Sequence, residues 1–396
     1  MTGTALNVQS AVPFRRDRLT LTMYGHLAVY GFFLFCFGPA QPLLRDEQGT
    51  SRTVAGLHGT SLALGAIIAG LLNTRISHRF GSERASWIGM TIAAVGIMDL
   101  IAFRSLTFTL IGALIAGTGG TLAINSSTSV FHQHLPTAQA EKALAEGNAV
   151  AALCGAVGTT LVGLLIATRF GWRSAFLVAL IGMLLVRVFL YRKPNAIHIP
   201  NPDGHLSGRL SAKFWIGWIG VVTAVGIEFS SSFWAAALIR ARTGASASIA
   251  TTTVMVLALC MGIGRYLGSR SLHFASLDRL MILFLAVTGI GFAVFWTATT
   301  TPISFVGLGV VGLGVSMQFP LAISRLIRLS NHRSDLAVGR ASLGAGVAIG
   351  VSPLLLGFLG DHIGIEKAYL MVPVLIVIGI ISVTSSPTKA NIDANK

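Results

Sequence analysis

The sequence predicts an all-α membrane protein with twelve transmembrane helices arranged as two pseudo-symmetric six-helix bundles. Three observations carry this expectation. The chain of 396 residues is 53% hydrophobic and only 11% charged, with a mean hydropathy of +0.74, whereas soluble domains carry roughly 25% charge. Twelve apolar runs are long enough to cross about 30 Å of hydrocarbon. They must be helical, because backbone polar groups find no water in lipid and the runs far exceed the length of a barrel strand. Finally, the chain repeats itself weakly: GWRSAFL at 171–177 and GIEKAYL at 364–370 lie 193 positions apart, and HRF at 78–80 and LHF at 272–274 lie 194 apart, with Gly70 and Gly264 in step. Each match holds the same ordinal place in a set of six helices, which reads as an internal duplication of about 190 residues.

Taken in order, residues 1–19 carry Arg15, Arg16 and Arg18 without an apolar core or a cleavage-like site, so they read as a cytoplasmic tail. The N-terminal bundle, 20–192, holds runs at 20–43, 55–77, 85–103, 106–131, 144–168 and 172–192. Gly38-Pro39 predicts a kink in the first of these. The connections at 103/106 and 168/172 are so short that neighbouring runs nearly fuse. The stretch YRKPNAIHIPNPDGHLSGRLSAK at 191–213 is polar and rich in Pro and Gly; its centre, 193–211, reads as a cytoplasmic linker with no room for a soluble catalytic domain. The C-terminal bundle, 212–385, holds runs at 212–241, 246–268, 276–297, 301–326, 338–361 and 367–385, and 386–396 form a second cytoplasmic tail.

Charge placement orients these spans. With both termini inside, 21 Lys and Arg fall in cytoplasmic segments and 8 on the other side, namely Arg45, Arg52, Arg104, Arg169, Arg173, Arg240, Arg242 and Lys367. That is the positive-inside pattern of a cell-membrane protein, and one missed or invented span would invert it downstream. The net charge of +15 is spread over short connections instead of one basic face, so no nucleic-acid partner is indicated. Cys36, Cys154 and Cys260 all lie within apolar runs, which supports neither a disulfide framework nor a metal cluster. No cofactor and no enzyme activity are expected: there is no GxxxxGKS loop and no HExxH pattern. GTGG at 117–120 and GVVGLGVSMQFP at 309–320 fall inside spans and read as tight helix contacts. One chain already supplies two bundles, so a monomer is expected.

Two motifs carry a family resemblance. FGWRSAF at 170–176 resembles the connection between the fifth and sixth helices of the major facilitator superfamily, and TRISHRFGSER at 74–84 resembles the turn after its second helix. The family turn has a Gly, three residues, an acidic residue, Arg, a variable residue, Gly, then two basic residues. Arg79 and Gly81 stand in those places, while Thr74, His78, Ser82 and Glu83 replace the first Gly, the acidic residue and the basic pair. GRYLG at 264–268 and SLDR at 276–279 occupy the related turn of the second half, with Arg265 near the membrane face. The resemblance covers roughly 20–385. It implies two six-helix bundles around a central substrate site, and secondary transport driven by an ion gradient or by the solute's own gradient. It also marks Arg79, Gly81 and Arg265 as gating candidates.

Polar residues inside the runs are the remaining candidates. Glu228 stands mid-span in VVTAVGIEFSSSFWAAAL at 221–238 with no basic neighbour in sequence. A lone carboxylate at that depth is expensive when charged, so it should spend part of its time protonated, as a proton carrier requires. The other reading is a structural carboxyl bonded across helices or to an Arg of the cytoplasmic half. Ser231 and Ser232 lie three and four residues on, within reach of it, and Trp234 is either a cavity wall or an interfacial ring. Tyr30, Asn125 and Gln318 are candidates to orient a solute, with interhelical bonding as the competing role. His26 reads as a proton relay or an edge hydrogen-bonding group, Glu146 as a surface or gate residue, and Arg340, like Arg325 and Arg328, as a snorkelling or inside-closing cation. None of the 29 Lys and Arg reads as central. Such a lining favours small neutral, amphipathic or cationic organic molecules. The family's exporters often carry Gly-Pro in the fifth helix, and here GAVGTTLVG at 155–163 has no proline. Even so, the leading expectation is a proton-coupled exporter working by antiport and alternating access, with proton-coupled or facilitative uptake as the alternative.

Overall fold

The computed structural model describes residues 14, 16–191, 210–271, 275–331 and 334–388, so most of the expected tails, most of the linker and LHF at 272–274 lie outside the described residues. The helices are α1 (Arg18–Gln48), α2 (Arg52–Phe80), α3 (Ser82–Ala102), α4 (Leu106–His134), α5 (Thr137–Ile166), α6 (Ser174–Leu190), α7 (Ala212–Thr243), α8 (Ala247–Thr253), α9 (Met255–Ser271), α10 (Leu277–Thr297), α11 (Thr301–Val315), α12 (Gln318–Leu329), α13 (Ser334–Ile363), α14 (Ile365–Ala368) and α15 (Met371–Ser385). Among the described residues eleven segments are long and apolar enough to cross a membrane, and the shorter apolar Ser174–Leu190 stands in the sixth place. The protein is an all-α multi-pass membrane protein built of two pseudo-symmetric bundles.

Three expected single spans are each broken in two. The eighth divides at Val254, where Val254 N–H bonds Thr251 O and Leu257 N–H bonds Val254 O, a tightened i→i+3 turn. The tenth divides at Ser316 and Met317, and the twelfth at Tyr369 and Leu370. Short polar caps set the helix starts: the side chains of Asp17, Ser51, Ser211, Ser246 and Ser276 each accept a first-turn amide. Left-handed Gly49 (φ 62°) and Gly244 (φ 67°) end α1 and α7, 195 positions apart.

The duplication is visible in packing. Within the first half α3 lies on α4, α2 on α4 and α1 on α6; within the second, α10 lies on α11, α9 on α11 and α7 on α15. The halves meet where α2 runs along α13, α1 against α7, and α5 against α8 and α9. On the face opposite the linker, Arg240 Nη1 donates to Asp46 Oδ2 at 2.8 Å. There the Asp361 carboxylate at the end of α13 accepts from the backbone amides of Arg52 (2.9 Å) and Thr53 (2.7 Å) and from the Thr53 hydroxyl (2.7 Å), so it caps α2 across the interface. Deeper in, Thr60 donates to Gly350 O at 2.6 Å and Ser248 to Gly163 O at 2.5 Å. The far face is closed.

Candidate functional site

Glu228 sits halfway along the 32-residue α7, between runs of apolar residues that keep this helix in the bundle. Its side chain is 16% exposed and lies 3.9 Å from Arg265 Nη2 of α9. The carboxyl has no basic neighbour in sequence, yet it meets a guanidinium from another helix, one of the two situations the sequence left open. At 3.9 Å the two groups attract without a hydrogen bond between them. Arg265 Nε instead donates to Ser316 O at 3.3 Å. Ser316 lies in the break between α11 and α12, where its carbonyl is released from a continuous helical ladder. Thus the acid, the guanidinium and a free carbonyl form one chain across three segments of the second half.

The neighbouring serines behave differently from expectation. Ser232 Oγ donates to the backbone carbonyl of Glu228 at 2.8 Å instead of its carboxylate, and Ser231 is buried. Ser232 does face the junction of the halves, in a recess shared with Leu34, Phe35, Gly38, Pro39, Thr159, Val254 and Leu257. Trp234 is fully buried, and its indole N–H donates to Pro353 O at 2.9 Å. It therefore packs α7 on α13.

In the first half the candidate solute ligands are neutral amides and hydroxyls. Ser126 of α4 donates to Asn73 Oδ1 of α2 at 3.1 Å, and Asn125 beside it is half-buried. Tyr30 is buried against bare Gly120, where any Cβ would fall within 1.7 Å of the ring. His26 is 1% exposed, with Nδ1 2.7 Å from Ser86 Oγ and its ring 4.4 Å from that of Trp87, near the start of α3 and all within the first half. Gln318 is buried, and its amide donates to Thr288 Oγ1 at 2.7 Å, tying α12 to α10.

The other gating candidates separate by location. Glu146 accepts from both Arg16 (2.9 and 2.8 Å) and the Tyr24 hydroxyl (2.8 Å), joining α5 to α1 inside one half instead of bridging the halves. Gly81 takes φ 83° at the turn between α2 and α3, a conformation that requires glycine, and exposed Arg79 lies over the Phe80 ring at 5.3 Å. Arg340 is exposed, and its carbonyl accepts the Trp218 indole N–H. Arg325, expected to snorkel to the surface or to hold inside-closing contacts, is 1% exposed and bonds Asp278 at 2.7 Å and Ser386 O at 2.8 Å. A buried guanidinium so paired fixes α10, α12 and the end of α15 together.

A family model described as Major Facilitator Superfamily matches residues 25–273, more than half of the chain. The chain belongs to the major facilitator superfamily. Membership makes it a membrane transport protein and not an enzyme. Among similar proteins, the glucose/galactose transporter of Brucella abortus biovar 1 (strain 9-941) is 27% identical over 332 residues, covering 76% of this chain and 77% of that protein. Two solved structures share the fold. A D-xylose-proton symporter superposes with TM-score 0.74 at 16% identity, over 93% of this chain and 97% of that one. The xylose transporter from E. coli, in a partially occluded inward open conformation, gives TM-score 0.75 at 16% identity, over 94% and 99%. These comparisons overturn the expected export, antiport and efflux: the three proteins just named are a sugar symporter and two sugar transporters. The expectation of export rested in part on what is frequent in the family, and α5 carries no proline between Thr137 and Ile166 to support it.

Proposed function

We propose that this superfamily member takes up a small polar organic solute, of the sugar class, together with protons. The observation that carries the reading is the Glu228–Arg265 pair, placed at mid-helix and held at 3.9 Å without a hydrogen bond. Such a carboxyl can take a proton when the site opens to one side and return its charge to Arg265 when the site opens to the other. The asymmetry of the halves suits this division of labour. The second half supplies the ionisable pair, and the first supplies the neutral amides and hydroxyls of Asn73, Asn125 and Ser126, which match the hydroxyls of a sugar. The sugar class is taken from the named relatives. The positive-inside pattern places the linker and both termini in the cytoplasm, so the closed far face is the outer one.

The test is radiolabelled D-glucose uptake into vesicles of reconstituted protein with an imposed pH gradient. Acid outside should drive accumulation. Glu228→Gln should abolish accumulation while preserving exchange of labelled for unlabelled sugar at equal pH, because exchange needs no net proton movement. Accumulation by that variant equal to wild type would remove Glu228 from the coupling.

A further inference from the structure

Gln41 of α1 is 0% exposed, and no protein group hydrogen-bonds its amide nitrogen or its amide oxygen. An amide carries two donor hydrogens and two acceptor lone pairs, so a wholly unpaired one disfavours the state that buries it. Its surroundings explain how it is covered. A Cβ on Gly59 of α2 would fall 3.1 Å from Gln41 Nε2 and 2.9 Å from the Phe233 ring. A Cβ on Gly38 would fall 2.8 Å from the same ring. Two bare glycines of the first half thus let Phe233, from α7 of the second half, sit flush against α1 and α2 beside the amide. Phe233 is itself 1% exposed and stacks edge-on to Phe37 at 6.1 Å and Phe229 at 5.5 Å.

The lid belongs to the opposite half. Five residues beyond Gln41, Asp46 holds Arg240 across the interface. Opening the outer face must separate α7 from α1, and that movement carries Phe233 off Gly38 and Gly59. We propose that Gln41 is a solute-binding residue of the outward-open state, masked by Phe233 when the outer face closes and presented to solute hydroxyls when it opens. This inference rests on the uptake reading above. It adds a binding contact that exists on one side of the cycle only, and a reason for the closed state to be no more stable than transport allows.

The test compares wild type with Gln41→Leu, which keeps the volume and removes the amide, using D-glucose as the probe in oriented vesicles. The apparent KM for D-glucose from outside should rise about tenfold, the worth of one neutral hydrogen bond. The KM from the cytoplasmic side should not rise, and the melting temperature should hold or increase. An amide satisfied by the protein or by a trapped water would give the opposite pattern: a lower melting temperature and equal KM changes on both faces, which overturns the inference. A second readout is independent of the solute: spin labels at Ser105→Cys and Thr299→Cys, exposed sites in the outer loops of the two halves, with Cys36, Cys154 and Cys260 replaced by Ser. Gln41→Leu should raise the population at the short, outer-closed distance. If wild type carries no D-glucose, the solute class proposed above fails. The labels then decide for Gln41, an unchanged closed population overturning its masking and a raised one upholding it.

Discussion

At the scale of single residues, Glu228 and Arg265 show what a sequence can and cannot reveal. Glu228 stands out because nothing charged surrounds it between 221 and 238. Arg265 does not stand out, because 37 positions separate it from Glu228 and only the depth of α9 brings the two together. Arg325 is missed for the same reason: its partners Asp278 and Ser386 come from other helices. Sequence position says how far a residue lies along its helix, and contact with a neighbouring helix is a separate variable. The pair carries a stability prediction. Arg265→Gln leaves a mostly buried carboxylate without its cation and should cost about 2 kcal/mol, while Glu228→Gln/Arg265→Gln should recover most of that loss. Thermal melting in detergent of wild type, Glu228→Gln, Arg265→Gln and the double variant checks this; a shift in the double variant equal to the sum of the two single shifts would mean that the two groups do not interact.

At the scale of helices, the repeat that is faint in sequence becomes plain in contacts between backbones. Gly96, Gly112 and Gly119 sit at the α3–α4 interface, and Gly291, Gly307 and Gly314, each 195 positions on, sit at α10–α11. The glycine-rich stretches at 117–120 and 309–320 are therefore legible as close packing, since a Cβ on Gly119 would fall 2.1 Å from Ala93 N and one on Gly314 2.3 Å from the Thr288 hydroxyl. Which glycines pack is not legible. Gly70 and Gly264 match in the repeat, yet a Cβ on Gly264 meets Ser316 Oγ at 2.4 Å and one on Gly70 meets nothing within 4 Å. Two substitutions should therefore diverge. Gly119→Val must force α3 from α4, since the obstacle is backbone, and should cost more than about 3 kcal/mol. Gly70→Ala, in an open helical position, should be neutral or gain about 0.5–1 kcal/mol. Yield of monodisperse protein and its melting temperature read both.

At the scale of the whole molecule, each half is braced internally at the outer face, and the halves are joined there by bonds that can be exchanged. Glu47 of α1 bonds Arg173 ahead of α6 at 3.0 Å, and Arg242 of α7 bonds Glu366 of α14 at 3.1 Å. These are the same positions of the duplicated halves with the signs of charge reversed, so each first helix is pinned to its sixth. Two braced bodies move by breaking the contacts between them, and at this face those include Asp46–Arg240, the Asp361 cap on α2 and the bond from the Arg52 guanidinium to Gly360 O. The cap is the most consequential, because its carboxylate satisfies two first-turn amides that have no partner within α2. When the outer face opens, water replaces it. Asp361→Ala therefore penalises the closed state alone, by about 1–2 kcal/mol, which moves the equilibrium toward outward-open by roughly 5- to 30-fold. The distance between labels at Ser105→Cys and Thr299→Cys should lengthen accordingly, and the melting temperature should fall only slightly, because the braces within each half are untouched. A large loss of melting temperature with no change in that distance would mean that Asp361 serves the stability of α2 and has no part in holding the outer face shut.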